Sequence, residues 1–152
     1  MTSWGVALVL QVALGAGSGE SYAEAHRASA ETGRPLVIMV GAEWCPACMV
    51  MKNSIMPQVK QGSVFGQVAF AAVDLDQERE LGSQLTENGP IPQLIMYTPK
   101  DGAWEKRRLI GGQDTQTVET FLREGISASK ADAAKKSTGP VASQPKTNSR
   151  AG

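Results

Sequence analysis

A mixed α/β fold, a central sheet of about four strands with helices on both faces, is what this sequence predicts. Three observations carry that expectation. Leu36 to Val40 is a continuous apolar run rich in branched residues, the pattern of a central strand covered on both sides. Pro99-Lys100-Asp101-Gly102 separates two strand-like runs with turn-forming residues, which makes part of the sheet antiparallel. The elements follow in the order αβαβαββα, and right-handed crossovers then place helices on both faces. With 152 residues, 41% of them hydrophobic, the chain can bury one core and hardly two.

The elements follow from local chemistry. Ser21-Tyr22-Ala23-Glu24 is a capping box, and Gly33 with Pro35 supplies a stop, so the sequence predicts a helix over 22–32. Tyr22, Ala25 and Ala28 or Ser29 would face the core. After the strand at 36–40, a helix begins at Cys45, with Pro46 in the first turn, where a missing N–H costs nothing. Pro57 should end or kink it near Met56. Val68 to Asp74 is the next strand, and 77–87 a helix with Leu81 and Leu85 inward and Asn88-Gly89 as its stop. Strands at 93–98 and 104–110 form the hairpin. Asp114 caps a final helix whose apolar stripe is Val118, Phe121 and Leu122.

The ends differ from the middle. Trp4 to Ala16 is apolar apart from Gln11 and runs into the small residues Gly15 to Gly19, so residues 1–19 read as a signal peptide, although Met1-Thr2-Ser3 carries no Lys or Arg. The stretch is too short to span a bilayer comfortably, and no stable membrane insertion is expected once it is cleaved. A single domain is expected over 20–126, acting as a monomer in the periplasm or outside the cell. Residues 127–152 are Ala, Ser, Lys, Pro and Thr without an aromatic residue, the composition of a disordered, basic tail. Its cations are sparse and the formal net charge is +0, so no nucleic-acid partner is expected.

Cys45 and Cys48, in Ala42-Glu43-Trp44-Cys45-Pro46-Ala47-Cys48, are the only cysteines. A strand that stops at Trp44 and turns into a helix puts Cys45 on the first turn, where unpaired backbone N–H groups favour a thiolate. Cys48 lies on the same helical face within disulfide reach. Structural zinc requires four ligands, and the single histidine, His26, is remote, so no metal is expected. A purely structural disulfide would close too small a loop to constrain the unfolded chain. Redox chemistry remains, one thiol attacking and the other resolving. Met49, Met51 and Met56 on the helix, with Met39 and Met96 on strands, raise Cu(I) binding as a competitor. Helical spacing, however, points Met49 and Met51 apart, and methionine commonly fills cores.

Leu36 to Cys48, followed downstream by Ile91-Pro92 and another apolar run, resembles the thioredoxin superfamily, whose active site pairs W-C-x-x-C with a cis-proline loop. The opening Ser21 to Pro35 is most similar to the small secreted thioredoxin-like proteins of bacteria. The resemblance implies a thioredoxin-like fold lacking its first strand, with no bound cofactor. It also implies that Cys45 is the nucleophile and the more buried Cys48 the resolving thiol. Trp44 would be a lid, and Ile91 and Pro92 would leave backbone groups free to bind an extended substrate strand. Gly111-Gly112 would let backbone approach the same surface. Partners would be disulfide-containing proteins and an electron donor.

Departures from the family pattern matter too. Many thioredoxins bury an aspartate where this chain has Met39, and the usual lysine partner is Ala72. Proton transfer must then use water or a nearby acid, and Glu43 is the only acid immediately beside the motif; Asp74 and Asp76 read as turn formers. Pro46-Ala47 lacks the histidine that strongly oxidising relatives often carry there, which favours a reductant. The expected function is thus an exported thiol-disulfide oxidoreductase that reduces protein disulfides. A disulfide oxidase or isomerase competes, as does a non-enzymatic Cu(I)-binding or client-binding module.

Overall fold

The computed structural model describes residues 21–138. The expected signal segment, residues 1–19, lies outside the described residues, as does the end of the tail from residue 139. The order is α1 (Tyr22–Thr32), β1 (Leu36–Gly41), α2 (Pro46–Val50), a π-helical turn (Met51–Ile55), α3 (Met56–Gln61), a 3-10 turn (Phe65–Gln67), β2 (Ala69–Asp74), α4 (Arg79–Thr86), β3 (Gln93–Lys100), β4 (Ala103–Ile110) and α5 (Thr115–Ser137). The four strands form one sheet in the order β2-β1-β3-β4. β1 runs parallel to β2 and antiparallel to β3, which pairs antiparallel with β4. This is the mixed α/β architecture that the sequence predicts.

Strand parity divides the core. Leu36, Ile38 and Val40 of β1 join Ala71, Val73 and Ile95 on the face covered by α1 and α4. Val37 and Met39 join Phe70, Leu94 and Met96 on the face covered by α3 and α5. All six residues of β1 are buried, as its unbroken apolar run requires. No helix among the described residues is long and apolar enough to cross a membrane.

Local signals set the ends of most elements. The Ser21 hydroxyl accepts the Glu24 N–H at 3.4 Å, and the Asp114 carboxylate accepts the Thr117 N–H at 2.7 Å. The hairpin is tighter than predicted. Asp101 and Gly102 both take positive φ, 51° and 83°, so two residues complete the turn and the strands extend to Lys100 and Ala103. α4 starts at Arg79, later than expected, because the Gln77 and Glu78 N–H groups turn back to the Asp74 carbonyl.

Pro57 does not end the active-site helix, which continues to Gln61. The chain widens into the π-helical turn before it, with the Met56 N–H donating to the Met51 carbonyl five residues back. The wider turn accommodates a ring that would otherwise clash with the preceding carbonyl.

The expected boundary at Ile126 is wrong. α5 continues to Ser137, so the first part of the expected disordered tail is an ordered helix. Its anchors come from far along the chain. The Asp132 carboxylate, buried, accepts the Asp101 N–H from the hairpin turn, Ser129 donates to the Gly33 carbonyl, and Lys130 donates to Gln67. Composition missed this because the segment is held by polar contacts rather than by an apolar stripe.

The Asp101 N–H and then the Lys136 ammonium hold the Asp132 carboxyl below the ordinary carboxylate range. A depressed folded-state value adds stability that is complete above the unfolded carboxylate's value of about 3.9 and is lost as pH falls through the folded value. Asp132→Asn should therefore unfold at lower urea than the wild type at neutral pH, with the gap closing as pH falls below the ordinary carboxylate range. A gap constant with pH would show that the charge does not matter.

Candidate active site

Cys45 is the N-cap of α2, and Pro46 opens the helix behind it. Its backbone is extended, φ −96° and ψ 109°, so its sulfur folds over the free amides of the first turn. The Cys45 Sγ accepts the Cys48 N–H at 3.2 Å. The two residues form a disulfide, their Cα atoms 5.2 Å apart. Both cysteines are buried: Glu43, Trp44, Pro46 and Ala47 around them are exposed, while Cys45 itself is 7% exposed and Cys48 2%. The order of burial is the one that the family resemblance implies.

The loops that follow the strands collect at this end of the sheet. Val40 lies opposite Gln93, and Gln93 opposite Ile110, so Pro92 and Gly111 are level with the end of β1. The Ile91–Pro92 peptide bond is cis. The Gly111 N–H donates to the Pro92 carbonyl at 2.8 Å, and a Cβ on Gly112 would sit 3.8 Å from the Ala47 Cβ. Cys45, Cys48, Trp44, Ile91, Pro92 and the Gly111-Gly112 pair thus gather at one end of the sheet, with Gly112 beside Ala47. Glu43 lies exposed on its loop.

Trp44 is 67% exposed, so it is no part of the core. Its indole N–H donates to Asp76 at 3.2 Å, and Asp74 in turn accepts the Asp76 N–H at 2.8 Å. Asp74 is a turn former, as read from the sequence, but the role of Asp76 as the anchor of Trp44 was not legible, because the two are 32 positions apart. Gln93 was missed as well. Its buried side-chain amide donates to the Pro90 carbonyl at 3.0 Å and braces the proline loop.

A cavity of about 80 Å³ adjoins Cys48. Met39 and Ala72 line it, partners across the β1–β2 register, together with Met49, Glu43, Lys52 and Asp74. Met51 turns elsewhere, its sulfur accepting the Gln113 N–H at 3.3 Å. Of the methionines on the helix, only Met49 lines this cavity. Among the described residues no group of three or more His, Cys, Asp or Glu could hold a metal ion.

Comparison with known proteins agrees with the fold. The solved thioredoxin of Thermus thermophilus is 23% identical, with a TM-score of 0.60 over 80% of this chain and 95% of that one. The thioredoxin of Fasciola hepatica is 26% identical, with a TM-score of 0.51 over 69% of this chain and 95% of that one. That of Trichomonas vaginalis is 19% identical, with a TM-score of 0.54 over 70% and 91%. No curated protein sequence matches the chain significantly. A family model described as thioredoxin-like matches residues 18–99, more than half of the chain, and the chain belongs to that thioredoxin-like family.

Proposed function

We propose that this protein is an exported thiol-disulfide oxidoreductase that reduces protein disulfides through Cys45 and Cys48. The observation that carries the reading is the Cys45 sulfur at the N-cap of α2, receiving the Cys48 N–H, because that donor and the helix N-terminus stabilise a thiolate there. In the reduced form the Cys45 thiolate attacks one sulfur of the substrate disulfide, and the first substrate thiolate leaves. Cys48 then attacks Cys45 in the mixed disulfide, the second substrate thiolate leaves, and the Cys45–Cys48 disulfide forms. The substrate has gained two electrons. An electron donor must return them.

The loop of Ile91 and Pro92 supports the binding of an extended substrate strand beside the thiols, and the exposed Trp44 supports a lid over it. The reductive direction draws on Pro46-Ala47, which puts no charge or side-chain donor between the cysteines. Export draws on the apolar run at 4–16, and a monomer acting without nucleic acid is part of the same reading.

Equilibration against glutathione and dithiothreitol tests the direction. The expected potential lies nearer the value of thioredoxin, about −270 mV, than that of the strong periplasmic oxidant, about −120 mV. A value above about −160 mV, on the oxidising side of the isomerase's roughly −180 mV, would overturn reduction in favour of oxidation.

A further inference from the structure

The sheet face beneath α2 ends in a carboxylate. In a parallel pair, residues in register present their side chains to the same face. Met39 and Ala72 are such a pair, and two positions on Gly41 and Asp74 are the next on that face. Cys48 packs on this row: a Cβ on Gly41 would lie 3.1 Å from the Cys48 Cβ and 3.3 Å from its sulfur. The cavity of about 80 Å³ beside Cys48 therefore has an apolar floor, Met39 and Ala72, and polar groups elsewhere, Asp74 from β2, Lys52 from the π-helical turn and Glu43 from the loop. Its volume exceeds the roughly 30 Å³ share of one water, and these groups supply hydrogen-bond partners.

We propose that Asp74 is the proton acceptor for the resolving thiol, taking the Cys48 proton through water held in this cavity. The assignment rests on the thiol-disulfide reading above. As the Cys48 S–H bond breaks, its sulfur forms the bond to Cys45, the bond from Cys45 to substrate breaks, and the substrate thiolate leaves with the electron pair. The proton stays on Asp74 until solvent removes it.

The three ionisable groups at the cavity are not equivalent. Lys52 is a cation, which only donates hydrogen bonds and by its charge favours the thiolate. Glu43 is exposed on its loop, where water screens it. Asp74 is partly buried and fixed at a strand end, where the Leu75 N–H donates to the Gly41 carbonyl at 2.9 Å. One of its oxygens holds the Asp76 N–H, leaving the other to accept.

The test uses the full-length reduced protein and dithiobis-nitrobenzoate, which releases one coloured thiolate on attack by Cys45 and a second on resolution by Cys48. Asp74→Asn keeps an acceptor for the Asp76 N–H. It should leave the first release unchanged and slow the second about 10²-fold near neutral pH, the lower range for loss of a general base. The deficit should shrink about tenfold per pH unit and vanish in alkali, where the thiolate forms without a base. Asp74→Glu should recover part of the rate. A wild-type pH profile in Asp74→Asn, equal slowing of both releases, or the same defect from Glu43→Gln in place of Asp74→Asn would each overturn the assignment. If the wild type releases no second thiolate, it is the exchange reading that falls, and the relay with it.

Discussion

Cys45→Ser leaves reduction of a model protein disulfide at the uncatalysed background, while Cys48→Ser accumulates a mixed disulfide through Cys45 that a small thiol releases. This is the largest effect the structure predicts, because the nucleophile and the resolving thiol act in sequence and neither has a substitute: the chain has no other cysteine. The asymmetry follows from position. Cys45 stands at the helix N-terminus, whereas Cys48 is 2% exposed and packed on Gly41, where it meets a partner only after Cys45 has captured one. Non-reducing electrophoresis and mass spectrometry of the trapped species decide the matter. Trapping through Cys48 in the Cys45 variant would reverse the assignment.

The second large effect is expected at Gly41. A side chain there would press on the Cys48 Cβ and sulfur at 3.1 and 3.3 Å, with the Met39 methyl behind at 3.9 Å. Gly41→Val should cost about 1–3 kcal/mol of stability by overpacking, read from urea unfolding. By displacing the resolving thiol it should also slow release of the mixed disulfide by up to about 10²-fold, since small misplacements of reacting groups carry penalties of that order. Initial attack by Cys45 should change much less. Wild-type release with a bulky residue at 41 would show that the helix yields freely, contrary to the packing described.

How much of this was legible in the sequence depends on the range of the interaction. Ser21, Asp114 and the Asp101-Gly102 turn act within three residues, and their chemistry can be read directly. The buried run of β1 and the cysteine pair after it likewise placed strand, turn and thiols together. What escaped notice was set by register and distance. That Asp74 shares a face with Cys48 depends on its pairing with Gly41, and Trp44 finds Asp76 only because β1 and β2 end side by side. The extension of α5 was hidden for the same reason, since Asp132 meets Asp101 across 31 positions.

The π-helical turn at Met51–Ile55 also bears on which changes of chain length the protein can absorb. Met51 and Met56, five residues apart, are both buried, as are Cys48 before the turn and Val59 after it. In a regular α-helix each residue advances about 100°, so five residues leave two side chains well out of phase, and the wider turn removes most of that error. Deleting one residue between Lys52 and Ser54 would leave Met51 and Met56 four apart, about 400° in a regular helix, so ordinary winding would return with both side chains still turned to the core. Substitutions at the exposed Asn53 and Ser54 touch none of these buried positions. The segment should therefore absorb the loss of one residue here, as well as changes of residue type, better than the same loss elsewhere in the helix.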